Sequence, residues 1–164
     1  MLKRFLLILS VFVGVVVAMT VGGGDNRLTG IGRKAPLLSI GDADRELTLD
    51  EMRGEYVILN FWTSTDAVSR VAANEYSDWV AEHPEADVSL LSVNFDTSEG
   101  LFREIVRRDG MDVATQYHVA GAEAEAIRNN YALHGGYGTV LINPQGKIIA
   151  HNPTEAELDK IFRA

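Results

Sequence analysis

Apolar and polar positions alternate along this chain in a strand and helix rhythm. Residues 56–62, YVILNFW, are almost wholly apolar and rich in β-formers, as expected of a central strand covered on both faces. Val68, Val71, Ala72, Tyr76, Trp79 and Val80 then recur at steps of three and four, which predicts a helix over about 66–82 laying that stripe on the sheet. His83 and Pro84 end it. Residues 88–94 read as a second buried strand. Leu101, Phe102, Ile105 and Val106 mark a following helix that stops at Asp109 and Gly110. Together these form a βαβ unit, expected to be right-handed.

A short extended piece is expected at 116–119, then an Ala- and Glu-rich helix over about 122–131 with a weak apolar stripe. Residues 139–142 and 147–151 read as an antiparallel strand pair, joined by the tight turn Asn143, Pro144, Gln145, Gly146. Thr154 and Glu157 have capping-box spacing ahead of Leu158, Ile161 and Phe162, so an amphipathic helix closes the chain. The alternation predicts an α/β layer structure.

The first 19 residues change the setting. Lys3 and Arg4 precede an apolar stretch over 5–17, and Val16 and Ala18 provide small residues for cleavage after Ala18, the pattern of an export signal. The alternative is an uncleaved anchor over 5–21 with its positive end inside. Both readings put the folded part outside the cytoplasm, in the periplasm or on a membrane anchor facing it. The chain thus divides into a signal or anchor at 1–21, a flexible Gly-rich linker at 22–32 and one domain at 33–164.

The formal net charge of −8 becomes −10 once Lys3 and Arg4 leave with the first 18 residues, which disfavours nucleic acid and anionic membrane surfaces as partners. Membrane contact is expected only through the N-terminal segment, if it is retained. His83, His118, His134 and His151 stand too far apart for a preformed metal site, and Gly135 to Gly138 lack the residues of a nucleotide loop, so no metal and no cofactor are expected.

VILNFWTSTDAVSR, 57–70, resembles the WCxxC segment of the thioredoxin superfamily, most closely the exported reductases that read FWATWCPPCR. Phe61, Trp62 and Arg70 match in register; Asp66 falls at the attacking cysteine and Ser69 at the resolving one. GRKAPLLSI at 32–40 and LTLDEMRGEYVILNFW from Leu47 look like the opening of exported thioredoxin-like and peroxiredoxin-like proteins. YALHGGYGTVLINPQGKIIA from Tyr131 is similar to the family form YGVRGVPTTFLIDPDGKIV, which sets Tyr137 at the position of the family's cis-proline. The resemblance covers about 33–162. It implies a thioredoxin fold, a central mixed sheet with helices on both faces, and a thiol-disulfide oxidoreductase ancestry.

The chain contains no Cys. Thiol-disulfide exchange needs a thiolate, so no such exchange can run on this chain's own side chains. A cis bond ahead of a non-proline residue costs about 3 to 4 kcal/mol, so the Gly136 to Tyr137 bond is expected to be trans.

Asp66 has two readings. It caps the helix, or it is also a permanent anion in the place of the thiolate, favoured by the same helix dipole and engaging a partner's donor. Ser69 has no base at a defensible spacing and reads as a structural hydroxyl. Arg70 reads as a solvated cation, with pairing to an acid as the alternative. Trp62 is expected to be core or groove wall, or else a partner contact, and Tyr137 to be exposed for recognition by its flanking glycines. The leading expectation is a redox-inactive envelope domain binding a protein or peptide through Trp62, Asp66, Ser69, Arg70 and Tyr137. Two alternatives are an oxidoreductase acting through an external thiol or cofactor, and a tethered structural spacer.

Overall fold

A computed structural model describes residues 29–42 and 45–162. The expected signal or anchor, and the linker as far as residue 28, lie outside the described residues. The elements are β1 (Ser39–Asp42), β2 (Arg45–Thr48), β3 (Tyr56–Trp62), α1 (Ala67–Glu82), β4 (Val88–Asn94), α2 (Glu99–Asp109), β5 (Gln116–His118), α3 (Gly121–Asn130), β6 (Thr139–Ile142), β7 (Ile148–His151) and α4 (Glu155–Phe162).

The main sheet has five strands in the order β5-β4-β3-β6-β7. β3 runs parallel to β4, and β4 parallel to β5; β6 and β7 are antiparallel additions on the other side. Because successive side chains on β3 point to opposite faces, its apolar run divides. Val57, Leu59 and Phe61 join a core with Leu91, Val93, Ala124 and Ile127, beneath α3. Ile58 packs with Tyr76, Trp79 and Leu158, beneath α1 and α4, while Trp62 packs with Ala73 and with Phe102, Ile105 and Val106 of α2. Helices therefore cover both faces, as the sequence pattern required of a strand apolar on both sides.

Three local features carry the element ends. The side chain of Ser98 caps α2 by accepting from the Leu101 amide at 3.2 Å, and Gly110 stops it with φ 73°, a left-handed angle suited to glycine. Thr154 and Glu157 form the reciprocal capping box ahead of α4, with the Glu157 carboxylate accepting from the Thr154 amide at 2.8 Å.

Two features depart from the sequence pattern. The antiparallel β1–β2 hairpin has no periodic signature: Ile40 faces Leu47 across it, and the remaining paired positions are Ser39 with Thr48, Gly41 with Glu46 and Asp42 with Arg45. The stripe expected on α1 is also turned. Its buried residues are Ser69, Ala73, Tyr76, Ser77 and Trp79, whereas Val68 is 82% and Val71 55% exposed. Small side chains at 69, 73 and 77 let the helix backbone approach the sheet and seat Ala73 against Trp62, a close fit that a periodicity count over large apolar residues does not see.

A polar row crosses the buried sheet beneath α1 and α2. Thr139, Asn60, Ser92 and Gln116 are register partners on adjacent strands, with the Thr139 hydroxyl donating to Asn60 Oδ1 at 2.8 Å and Asn60 Nδ2 to Ser92 Oγ at 3.0 Å. All are buried, and the paired amide and hydroxyls explain how an Asn is accommodated in so apolar a strand.

Candidate functional site

The candidate site is the turn that leads from β3 into α1. After Trp62 the chain turns through 63–66, closed by a bond from the Asp66 amide to the Thr63 carbonyl at 3.3 Å. Asp66 is the N-cap of α1, with extended backbone (φ −102°, ψ 107°), and its Oδ1 accepts from the Ser69 amide at 2.7 Å. The carboxyl is held below the ordinary range of an aspartate, chiefly by that amide and then by the Ser69 hydroxyl, while desolvation opposes the shift weakly. The half-exposed carboxylate is thus a fixed anion at a helix N-terminus. Removing the cap by Asp66→Ala should cost about 1 kcal/mol in urea unfolding, the usual value of an N-cap side chain.

Ser69 is buried and committed locally: its hydroxyl donates to the Asp66 carbonyl at 3.2 Å and faces the Thr63 amide at 3.4 Å. Among the described residues its hydrogen bonds reach no histidine or lysine that could activate it, in keeping with a structural hydroxyl. Arg70 corrects the expectation of a solvated cation. Its Nε and Nη2 donate to the two carboxylate oxygens of Asp109 at 2.7 and 2.6 Å, a bidentate pair that ties the first turn of α1 to the last residue of α2. Asp109 is held below the usual carboxylate range mainly by this guanidinium. The partner lies 39 positions away, beyond the reach of local sequence reading.

Trp62 takes the core position, the first of its expected readings, and only its place among the binding residues is corrected. It is fully buried, its ring centroid lies 6.1 Å from that of Phe102, and its indole nitrogen has no hydrogen-bond partner, so it cannot touch a bound molecule at the surface.

Tyr137 sits in the loop before β6, joined to the end of β3 by a bond from the Phe61 amide to the Gly138 carbonyl at 3.0 Å. No cis peptide bond occurs among the described residues, so the bond before Tyr137 is trans as expected. The glycines do not present this ring freely to solvent: Tyr137 is half-buried, with its centroid 5.6 Å from that of Phe95 and 5.2 Å from the Arg128 guanidinium, which also lies 4.7 Å above Phe95. Gly138 sits in a close approach: a Cβ there would stand 3.0 Å from the Asn152 amide oxygen that accepts from the Thr139 amide, so that side chain would have to give by a few tenths of an ångström. Tyr137 lines a small hollow of about 140 Å³ with Phe61, Tyr131 and Leu133. A separate cleft of about 380 Å³ beside the turn is walled by Ser64, Thr65, Arg70, Val71 and Asp109.

The residue that sequence reading missed is Asp96. It follows β4 and lies behind the turn, 4% exposed. One carboxylate oxygen accepts from the Thr63 hydroxyl and from the Ser64 amide at 2.9 Å; the other accepts from Asn94 Nδ2 at 3.2 Å. Its own amide donates to Asn94 Oδ1 at 2.9 Å, and the ring Nε2 of His118 lies 2.8 Å from its carbonyl, which requires the proton on that nitrogen. Burial pushes the Asp96 carboxyl up, but the donors of Thr63, Ser64 and Asn94 together outweigh it and hold the group below the ordinary value. The Asn-Phe-Asp run after a buried strand shows a polar strand end, and nothing in it points to position 63.

Among the described residues, no group of three His, Asp or Glu side chains could hold a metal ion, and no helix is long and apolar enough to cross a membrane.

A βαβ unit, an antiparallel hairpin added beside its first strand, helices on both faces and a turn from the first strand into α1 define a thioredoxin fold, one in which a carboxylate occupies the redox position. Residues 31–151 match the AhpC/TSA family, and the chain belongs to it. A crystal structure of a thioredoxin-like protein from Parabacteroides distasonis is similar at 29% identity and TM-score 0.70, over 83% of this chain and 96% of that one. A solution structure of a thiol:disulfide interchange protein from a Bacteroides species has TM-score 0.73 at 18% identity, covering 84% and 93% of the two chains. The thioredoxin domain of a thiol-disulfide oxidoreductase from Bacteroides vulgatus has TM-score 0.68 at 18% identity, covering 81% and 98%. At 18% the last two share the fold. No curated protein matches the chain.

Proposed function

We propose that this is a redox-inactive thioredoxin-fold domain of the cell envelope that binds a protein or peptide at the turn between β3 and α1. The observation that carries the reading is the state of that turn. Asp66 is kept ionised at the helix N-terminus, and Val68 and Val71 stand 82% and 55% exposed on the first two turns of α1. A fixed charge beside exposed apolar side chains is a surface for a partner with a complementary donor and an apolar residue. Tyr137 contributes from the neighbouring loop. The leader-like first 19 residues support an envelope location.

Capture from an envelope extract on the immobilised domain should recover a specific partner, and its retention should weaken at least tenfold in an Asp66→Ala, Tyr137→Ala variant. Unchanged retention would take the turn out of the account. A chain with no thiol cannot shuttle electrons between thiol and disulfide by itself, so insulin reduction with dithiothreitol should proceed at the rate of the protein-free blank. Turnover above that blank would favour the second reading, an oxidoreductase supplied with an external thiol or cofactor.

A further inference from the structure

The outer face of α1 carries a pattern that its own helix does not use. The exposed Val68 and Val71 are followed, at steps of four, three and four, by Glu75, Asp78 and Glu82, so all five residues share one side of the helix, and all are exposed. Beside Val71 lies the cleft of about 380 Å³, whose other walls include Thr65, Ala67 and Asn74. Glu75 and Asp78 stand one turn on from Val71 and Asn74, so the acids continue the line of the cleft along the helix.

Like charges three and four residues apart repel, and the C-terminal end of a helix already carries partial negative charge, so Asp78 and Glu82 oppose the helix on which they stand. The last turn of α1 holds no basic residue to offset them. Among the described residues, none of the three acids joins an ion pair. α2 has the opposite pattern: Glu99 pairs with Arg103 and Glu104 with Arg107, and Arg107 and Arg108 close its last turn. The free protein therefore carries an electrostatic cost on α1 that a cationic partner would relieve.

The cleft selects differently. Arg70 and Arg108 both turn to Asp109, and Asn74 donates to the Arg70 carbonyl at 3.0 Å, so these polar groups are engaged with one another and Ala67 and Val71 are the surface left to a ligand. That suits an apolar side chain. A second copy of this chain is a poor occupant, because at −8 it would set like charge against the three acids, and an anionic membrane surface is repelled in the same way.

We infer that the outer face of α1 docks a cationic amphipathic segment of the partner protein, an apolar side chain seated in the cleft beside Val71 and lysine or arginine side chains lying along Glu75, Asp78 and Glu82. This face shares Val68 and Val71 with the turn site and rests on the reading that a partner meets them there. The probe is a fluorescein-labelled peptide of about 18 residues, long enough to be helical, with a leucine pair near one end and three lysines after it on the same side. Its binding to the full chain, read by anisotropy, should weaken as salt rises, and about tenfold or more in Glu75→Gln, Asp78→Asn, Glu82→Gln. That triple variant should also unfold at higher urea than the unsubstituted protein, which separates lost recognition from lost folding. Glu123→Gln, Glu125→Gln, Glu155→Gln removes the same charge elsewhere on the surface and should leave binding unchanged. Equal binding by the two triple variants, or no binding at low salt, would overturn the assignment. Loss of the envelope partner in Asp66→Ala, Tyr137→Ala with none in the α1 variant would keep the turn and remove this face, and the reverse result would keep this face and remove the turn.

Discussion

Asp96→Ala should lower the urea-unfolding free energy by about 3 kcal/mol, a large share of the roughly 5 to 15 kcal/mol that holds a domain together. The reason is the number of donors the carboxylate collects in a place water does not reach. The Thr63 hydroxyl, the Ser64 amide and Asn94 Nδ2 all lose their acceptor at once, and each buried unmatched donor costs about 1 to 3 kcal/mol less whatever relaxation recovers. Asp96→Asn should cost about half as much, since an amide oxygen can still serve Thr63 and Ser64 while its NH₂ opposes that of Asn94.

The same carboxyl predicts an acid response. Its folded value lies below the ordinary one, so its stabilisation is complete above about pH 4, where the unfolded group is also ionised, and is lost as pH falls through the lower folded value. The unfolding midpoint of the unsubstituted protein should therefore fall more steeply below pH 4 than that of Asp96→Asn. Parallel curves would show that Asp96 is not an ionised anchor of the turn.

Trp62→Ala should be the most destabilising single truncation near the site, at about 4 kcal/mol, because it opens a cavity between β3, α1 and α2 that Ala73, Phe102 and Met111 cannot collapse to fill. Trp62→Phe should cost far less. It keeps most of the ring contact and removes an indole N–H that has no partner. Neither exchange should alter binding at the turn in protein that remains folded. A specific loss of partner retention in folded Trp62→Phe would mean that the indole reaches the surface after all.

The elements of the main sheet were legible because their signals are local. Tyr56–Trp62 is apolar but for Asn60, Val88–Asn94 sets Val88, Leu90, Leu91 and Val93 among small polar residues, and the boundaries read from them coincide with β3 and β4. Asp66 was legible as a cap because capping needs only the residue and the amide three positions on. The rotation of α1 was not, since Val68 and Val71 fit a helical stripe as well as Ala73 does, and the close approach that favours the small residues depends on where Trp62 lies. Arg70 was misjudged for a similar reason: whether a basic side chain on a first turn is solvated depends on whether an acid is brought beside it, and α2 brings Asp109.

By itself, then, the sequence determined the α/β layering through its apolar periodicity, the thioredoxin-like arrangement through the resemblance of its motifs, and the absence of thiol chemistry through its lack of Cys, because all three are properties of the chain alone. Only the tertiary structure decided which side of α1 faces water, that Asp96 pins the turn from 33 positions away, and that Trp62 is sealed in while Tyr137 is half-covered by Phe95 and Arg128. These depend on contacts between residues distant in sequence, and such contacts leave no periodic trace in the order of the residues.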